Sequence, residues 1–196
     1  MIQLLLSRLE ICLDDASYWM AANRLRLNAE KTKLLWGGSR YSAEAQLGSS
    51  GPSMQFGTEV ISASDHVRVL GVTVLSDLSL DKHVANVCSS GFYWLRQLRR
   101  VRRSLDTDSI KTLVHAFVML RVDYCNAVFA GSPRYITDKL QCVLNAAAHL
   151  ITNTHKFDHG LSHLLHEELH WLDVPERIHY KLGVTVHRCL QFKALE

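Results

Sequence analysis

The chain has 196 residues, of which 47% are hydrophobic, 21% are charged and three are prolines. This composition excludes a disordered chain and is typical of a globular protein with one or two hydrophobic cores. The net charge of +3 at neutral pH is too small to demand a polyanionic partner by itself. The distribution of charge along the chain therefore matters more than its total.

The five cysteines are widely spaced and include no Cys-x-x-Cys pair. Neither a disulfide framework nor a thiolate zinc site is therefore predicted, and we expect an intracellular compartment, nuclear or cytoplasmic. No window approaches the roughly 18 apolar residues that a membrane helix needs, and the first residues lack the basic and apolar regions of a secretory leader. We expect a soluble protein without a membrane partner.

Near the N-terminus, apolar residues recur at steps of three and four, which predicts an amphipathic helix from Leu4 to about Asn23. Its apolar seam comprises Leu5, Leu9, Cys12, Leu13, Ala16, Trp19, Met20 and Asn23. Asp14 and Asp15 lie just off this seam. Paired aspartates bind two metal ions in polymerases, but adjacent residues of a helix point about 100° apart. We therefore predict that these carboxylates are solvent-exposed charges on a helix face.

Three strands are predicted next. Lys31 to Trp36 alternates in polarity and ends at a glycine pair, and Phe56 to Ile61 follows a Ser- and Gly-rich loop. Val67 to Leu75 is predicted as a third, mostly buried strand with a close backbone approach at Gly71. Together these segments predict a small antiparallel sheet packed on the N-terminal helix.

The segment FYWLRQLRRVRRSL gives the strongest binding signal that the residues carry by themselves. Arg96, Arg99, Arg100 and Arg103 stand at i, i+3, i+4 and i+7, which places four guanidinium groups on one face of a helix. Residues 81–103 contain six basic side chains and one acidic side chain. Because guanidinium pairs bidentately with phosphate, this face is predicted to bind a nucleic-acid backbone. The alternative is a solvated cationic helix end whose arginines complement the macrodipole.

The rest of the chain is predicted to form a helical bundle. Asp106 and Thr107 are capping residues at the start of a helical segment that ends at Gly131. Two further helices begin with a proline in the first turn, at Pro133 and Pro175. The fold class predicted for the whole chain is therefore α+β.

Five histidines suggest an alternative function. They are His155, His159, His163, His166 and His170, at steps of four, four, three and four. The segment HEELH, from His166 to His170, satisfies the H-E-x-x-H pattern of zinc proteases, which makes a zinc metallohydrolase the alternative prediction. Gly160 interrupts the helix that would align all five, and the segment shows neither a third ligand nor an enclosing cleft. Histidines at the surface or at the rim of the core are the default interpretation.

Five segments resemble, in this order, the C-terminal part of the reverse transcriptase of LINE-type (non-LTR) retrotransposons. They are WMAANRLRLNAEKTKLL, DHVRVLGVTVLSDLSLDKHV, LVHAFVMLRVDYCNAVFAG, KLQCVLNAAAHLI and LHEELHWLDVPERIHYKLGVTVHRCL. The resemblance implies that residues 1–78 form the end of the palm and residues 79–196 a helical thumb or connection region. In that family the helix WMxxNxLxLN follows the catalytic hairpin, so the resemblance places the metal-binding aspartates upstream of Met1 and not at Asp14 and Asp15.

The resemblance also implies roles for individual residues. Lys31 would lie near the incoming triphosphate, with Asn28 and Thr32 shaping its turn, and Gly71 would let a primer-grip hairpin approach the primer strand. The alternatives are an ordinary exposed lysine and a glycine required by a bulge or by tight strand packing. The four arginines would follow the duplex of RNA template and DNA primer.

The resemblance implies no catalytic residue, metal ligand or cofactor in this chain, since magnesium is expected only in the full-length enzyme. Without the metal carboxylates, phosphoryl transfer lacks its electrostatic stabilisation, so the chain alone is not expected to polymerise. The expected partners are the template-primer, through its backbone, and the upstream palm and fingers. Two alternatives stay open: the zinc metallohydrolase, and a reading frame of a decayed element that encodes no functional protein.

Overall fold

The computed structural model describes residues 2–37, 51–57, 59–154 and 160–191, which adopt an α+β fold. The chain divides into two compact units, residues 1–82 and 83–196. The first unit contains a long helix and short strands. The described part of the second unit contains helices and turns but no strand.

In the first unit, helix α1 (Ile2–Ala22) precedes a 3-10 turn (Ala29–Lys31), and three strands form one sheet. These strands are β1 (Leu34–Leu35), β2 (Ser53–Phe56) and β3 (Glu59–Ser64), in the order β1-β3-β2. β2 and β3 are antiparallel, whereas β1 runs parallel to β3. The prediction of a purely antiparallel sheet was therefore wrong. Twenty-three residues separate β1 from β3 in the sequence, which is more than the dozen or so that a connection between parallel strands needs.

Two predicted strands are hairpins in the structure. The predicted strand from Phe56 to Ile61 contains a turn, since Phe56 pairs with Glu59 and Gly57 has a φ of +58°. The predicted strand from Val67 to Leu75 consists of β4 (His66–Val69) and β5 (Val72–Leu75), which form a separate two-stranded sheet.

The turn of the β4–β5 hairpin explains why the sequence pattern predicted a single strand there. Both central residues, Leu70 and Gly71, have positive φ values of 47° and 88°, as a type I′ turn requires. A leucine is uncommon in this conformation, and here it continues the apolar alternation through the turn. The apolar pattern consequently resembles one unbroken strand.

Helix α1 packs on the three-stranded sheet, as predicted. The buried residues Leu34, Met54 and Ala63 form the small core, and Leu6 and Leu13 of α1 pack against it. The side-chain carboxylate of Glu10 also accepts a hydrogen bond from the backbone N–H of Gln55 in β2, at 2.9 Å.

Of the predicted apolar seam, Leu13 and Met20 lie on the face of α1 that is half-buried, while most of the seam lies on another face. The half-buried positions of the helix are Leu6, Glu10, Leu13, Ser17 and Met20. An outer stripe is exposed, and it comprises Leu5, Leu9, Cys12, Ala16 and Trp19. Apolar residues thus lie on two faces of α1, and the sheet covers only one of them.

The second unit is built around two long helices, α2 (Asp81–Val101) and α5 (Arg134–Thr152). Between them lie α3 (Thr107–Val114), a π-helical turn (His115–Met119), α4 (Leu120–Asp123) and a 3-10 turn (Asn126–Phe129). Helix α6 (Leu161–His163), a second π-helical turn (Leu164–Glu168) and α7 (Val174–Leu190) complete the described part. The prediction of a helical bundle is confirmed.

Helix α5 is the centre of this bundle. Leu140, Val143, Leu144 and Ala147 are completely buried along it. Of the predicted helix-start residues, Asp106 and Pro175 act as expected, whereas Thr107 is the first residue of α3 and Pro133 is the N-cap of α5 and precedes its first turn. The Asp106 carboxylate accepts from the Ser109 N–H at 3.3 Å, and Pro175 lies in the first turn of α7. Within the described ranges, no helix is long and apolar enough to cross a membrane.

Candidate nucleic-acid interface

Helices α2 and α5 run parallel and pack closely at Gly91. A Cβ atom at this glycine would lie 2.8 Å from Cγ1 of Val143, so only glycine allows the observed approach. Contacts before and after this point advance along both helices together, from the thiol of Cys88 near the Lys139 carbonyl to Arg102 near the end of α5. The close packing fixes the position of α2 on the bundle.

The buried face of α2 orients its opposite face towards solvent. Leu95 and Leu98 are buried, and the ring of Trp94 stacks on Phe117 with ring centroids 4.5 Å apart. Their burial leaves the arginine side of the helix outside the bundle.

The four predicted arginines are all exposed. We call Arg96, Arg99, Arg100 and Arg103 the arginine face. Among the residues that the structure describes, none of the four guanidinium groups forms an ion pair, and their one side-chain hydrogen bond runs from Arg100 to the Gln97 side-chain oxygen at 3.4 Å. The α-helix ends at Val101, so Arg103 projects from the following 3-10 turn (Arg102–Ser104) and not from the helix itself.

Arg102 has a different role from its neighbours, which sequence reasoning missed. Its guanidinium donates to the carbonyl oxygens of Leu150 and Ile151 at 3.0 Å each, and to that of Leu105 at 3.1 Å. The last carbonyls of a helix lack partners within the helix, and a cation there is also favoured by the macrodipole. Arg102 therefore caps the C-terminal end of α5. A sequence does not show which arginine will meet another helix end.

A groove between α2 and α5 adjoins the arginine face. Its volume is about 780 Å³. Its lining residues are Ser89, Phe92, Leu95, Arg96, Arg99, Cys142, Asn145, Ala146, His149 and Leu161. This lining contains two arginines and no carboxylate. No sequence pattern predicts this groove, because its two walls come from helices that are distant in the chain.

Lys31 and Gly71, the two residues assigned by resemblance, lie in the first unit. Lys31 is exposed at the end of the 3-10 turn, and its backbone N–H donates to the Asn28 side-chain oxygen at 3.2 Å. Thr32 donates its hydroxyl to the Asn28 carbonyl at 2.9 Å. Gly71 lies at the tip of the β4–β5 hairpin. The turn and the hairpin exist in the structure, while the roles at a triphosphate and at a primer stay predictions.

Asp14 and Asp15 are both exposed in the interior of α1, as predicted. Adjacent helical residues do not direct two carboxylates at one point. Within the described ranges, no group of three or more histidine, cysteine, aspartate or glutamate side chains is arranged to hold a metal ion.

The HEELH segment does not form a regular helix. His166 lies in the π-helical turn, and His170 lies beyond its end with a φ of +53°. The two histidines are therefore not one turn apart on an α-helix, as H-E-x-x-H zinc ligation requires. His166 instead has its Nε2 atom 3.7 Å from the Asp173 carboxylate. His155 and His159 lie outside the described residues.

A scan against models of known protein families, a search of curated proteins and a search of solved structures found no match for this chain. Function has to be inferred from the residues and from the geometry of the two units. The arginine face and the adjoining groove are the features of the second unit with the clearest chemical preference, which is for anions.

Proposed function

We propose that this chain is the C-terminal part of a LINE-type (non-LTR) retrotransposon reverse transcriptase and that its arginine face binds the backbone of an RNA/DNA template-primer. The observation that carries the proposal is the exposure of all four arginines without an ion pair in the described part of the chain. The five segments that resemble this family supply the identity of the nucleic acid.

The arginine face suits phosphate for both chemical and mechanical reasons. Guanidinium is weakly hydrated and forms two parallel hydrogen bonds with a phosphate group. The supporting helix is held by the close contact at Gly91, by the stacking of Trp94 on Phe117 and by the cap that Arg102 forms. A rigid support limits the ordering entropy that binding would otherwise cost. Phosphate contacts carry no base information, so binding should be nearly independent of sequence.

The outer stripe of α1 supports the second part of the proposal, which concerns protein partners. Trp19 is 62% exposed, and Leu9 and Leu5 lie on the same stripe. A continuous exposed apolar surface of this kind usually marks a contact with further protein. Under the proposed function, the upstream palm and fingers would cover it.

The decisive experiment measures binding to a short RNA/DNA hybrid by fluorescence anisotropy over a range of salt concentrations. Each phosphate contact contributes about −0.9 to the slope of log affinity against log salt, taking the hybrid as similar to B-form DNA. Three or four contacts then predict a slope of roughly −3 to −4, with weak affinity near physiological salt, about 10⁻⁴ to 10⁻⁶ M. Replacing the arginine face with four glutamines should lower the magnitude of the slope by roughly three.

A matched control removes four positive charges elsewhere in the second unit. Lys111, Arg121, Lys181 and Arg188 are exposed and lie outside the arginine face. Glutamine at these four positions gives the same net charge as the first variant and should leave the slope almost unchanged. The single variant Lys139→Gln should change it by at most about one. If both quadruple variants change the slope equally, the arginine face is an ordinary solvated surface.

Catalysis is tested separately. With poly(rA)/oligo(dT), dTTP and either magnesium or manganese, we expect no primer extension above a buffer control, because the proposal places the metal carboxylates outside this chain. Extension by the chain alone would contradict this. If that extension were then lost in Asp14→Ala and Asp15→Ala, the aspartate pair would be the metal site after all.

The zinc metallohydrolase is tested by metal analysis. The purified chain should contain no stoichiometric zinc under the proposed function, because HEELH departs from the helical geometry of such sites. One zinc ion per chain, lost in His166→Ala, would favour the metallohydrolase.

A further inference from the structure

The groove between α2 and α5 combines an apolar wall with hydrogen-bond donors. Phe92, Arg96 and Arg99 face it from α2, at i, i+4 and i+7, so they follow one side of the helix over about 10 Å. Asn145 and Ala146 face it from α5. Phe92 is 39% exposed, which leaves part of its ring accessible to a ligand.

A hydrogen-bond network determines which way the Asn145 amide points. The Gln141 side-chain oxygen accepts from the Val174 N–H at 2.9 Å, so its NH₂ group must be the donor in its other contacts. That NH₂ donates to the Asp173 carboxylate at 2.8 Å and to the Asn145 side-chain oxygen at 3.0 Å. With its oxygen engaged, Asn145 has its own NH₂ left as a donor, and this NH₂ has no partner among the described residues.

We propose that this groove binds an unpaired nucleotide of a single-stranded nucleic acid. The base would stack on Phe92, the flanking phosphates would contact Arg96 and Arg99, and the Asn145 NH₂ would donate to an acceptor on the base edge. This inference depends on the proposed function. The arginine face would bind the duplex, and the adjoining groove would bind a single-stranded part of the same nucleic acid.

The chemistry of the lining favours this ligand. A base has an apolar face and acceptor atoms at its edge, and its phosphates are anionic, so it matches an aromatic wall, an amide donor and two guanidinium groups. Proteins that bind single strands combine such stacking platforms with a cationic groove. The volume of about 780 Å³ lies within the range of roughly 300 to 1,000 Å³ that is usual for ligand pockets. None of the described residues that line the groove is acidic, so nothing there repels a phosphate.

The test compares two single strands with the same number of phosphates: a thymidine 12-mer and an abasic 12-mer. We expect the full chain to bind the thymidine strand at least about fivefold more tightly, since stacking on an aromatic side chain is sequence-tolerant and needs a base. Phe92→Ala should reduce this preference to less than about twofold. The matched control is Tyr180→Ala, which removes an exposed aromatic side chain outside the groove and should preserve the preference.

A second variant tests the amide donor and keeps the hydrogen bond from Gln141. In Asn145→Asp the new carboxylate can still accept from Gln141, but it replaces the free NH₂ with a negative charge. We expect the thymidine strand to bind about tenfold more weakly, because the variant loses one hydrogen-bond donor to the base and carries a negative charge in its place. Asn86→Asp adds the same charge at an exposed position of α2 outside the groove and should have a much smaller effect.

The outcomes separate the two proposals. Equal binding of both strands, with the salt slope on the hybrid still dependent on the arginine face, would overturn the groove inference and leave the proposed function intact. A salt slope that does not depend on the arginine face would overturn the proposed function and with it this inference. If Phe92→Ala and Tyr180→Ala reduce the base preference equally, the groove is not the binding site. Circular dichroism and thermal unfolding of each variant would show that its fold is retained.

Discussion

Helices α1 and α2 have the same length, 21 residues, but expose opposite kinds of surface. α2 buries its apolar residues in the bundle and exposes arginines. α1 exposes the apolar outer stripe, although it packs on a sheet. The α1 helix was predicted from its apolar spacing and the arginine-bearing part of α2 from the spacing of its arginines. The spacing of residues identifies a helix, while the elements around the helix decide which of its faces is covered.

The largest difference in stability is expected between variants of two adjacent arginines that follow α2. Arg102→Gln should lower the free energy of unfolding by about 2 to 4 kcal/mol, because it removes charged hydrogen bonds to three carbonyl oxygens. Arg103→Gln should change it by less than about 0.5 kcal/mol, since this residue is exposed. Urea denaturation measures both. The slope of log affinity against log salt should show the opposite pattern. Its magnitude should fall by about one in Arg103→Gln and should not change in Arg102→Gln. Equal stabilities would contradict the capping role of Arg102.

The second-largest change in stability is expected when a tryptophan is replaced in α2, compared with the same replacement in α1. Trp94→Gln in α2 should destabilise the protein by about 2 kcal/mol through loss of the stacked ring on Phe117. Trp19→Gln in α1 should change stability by less than about 0.5 kcal/mol, because this side chain is 62% exposed. A large loss of stability at Trp19 would mean that the outer stripe is covered within the chain.

A third pair of variants tests the packing that supports the arginine face. Gly91→Ala should cost about 1 to 2 kcal/mol, because its Cβ would lie 2.8 Å from Val143 and would push α2 away from α5. Gly183→Ala in α7 is the matched control, since its Cβ would meet nothing within 4 Å. This second change should stabilise the protein by about 0.5 to 1 kcal/mol through higher helix propensity. Thermal unfolding of both variants provides the measurement, and a neutral Gly91→Ala would show that the helices separate easily.

The smallest expected effect is a pH dependence of stability that arises near the start of α2. The His66 ring lies between the Asp65 carboxylate, at 2.6 Å, and the Lys82 ammonium group, at 3.0 Å. The hydrogen bond from His66 lowers the pKa of Asp65 below its ordinary value of 3.8. The stabilisation from this carboxylate is therefore present above pH 3.8 and is lost as the pH falls through the lowered pKa.

This pH dependence is measured by urea denaturation of the natural chain and of Asp65→Asn. The difference in midpoint between the two proteins should shrink as the pH falls from 5 through the lowered pKa of Asp65, because the carboxylate is then protonated. A carboxyl titration followed by NMR would locate the pKa directly. A constant difference over this pH range would show that the Asp65 charge does not contribute.

Much of the fold followed from local chemistry. The extent of α1, the cap at Asp106 and the helix start at Pro175 depend on spacing and on residues next to each other in the chain. The strands were harder to predict. A leucine in the left-handed conformation at Leu70 concealed one hairpin, and the parallel partner of β1 lies far along the sequence.

The candidate site shows the same division. The sequence by itself determined that Arg96, Arg99 and Arg100 lie on one helix face, because a helix has a fixed period. Only the tertiary structure decided that Arg102 caps α5 while Arg103 stays exposed, and that Phe92 and Asn145 share a groove. Each of these depends on which helix lies beside α2, and that choice comes from long-range packing at Gly91, which no local pattern encodes.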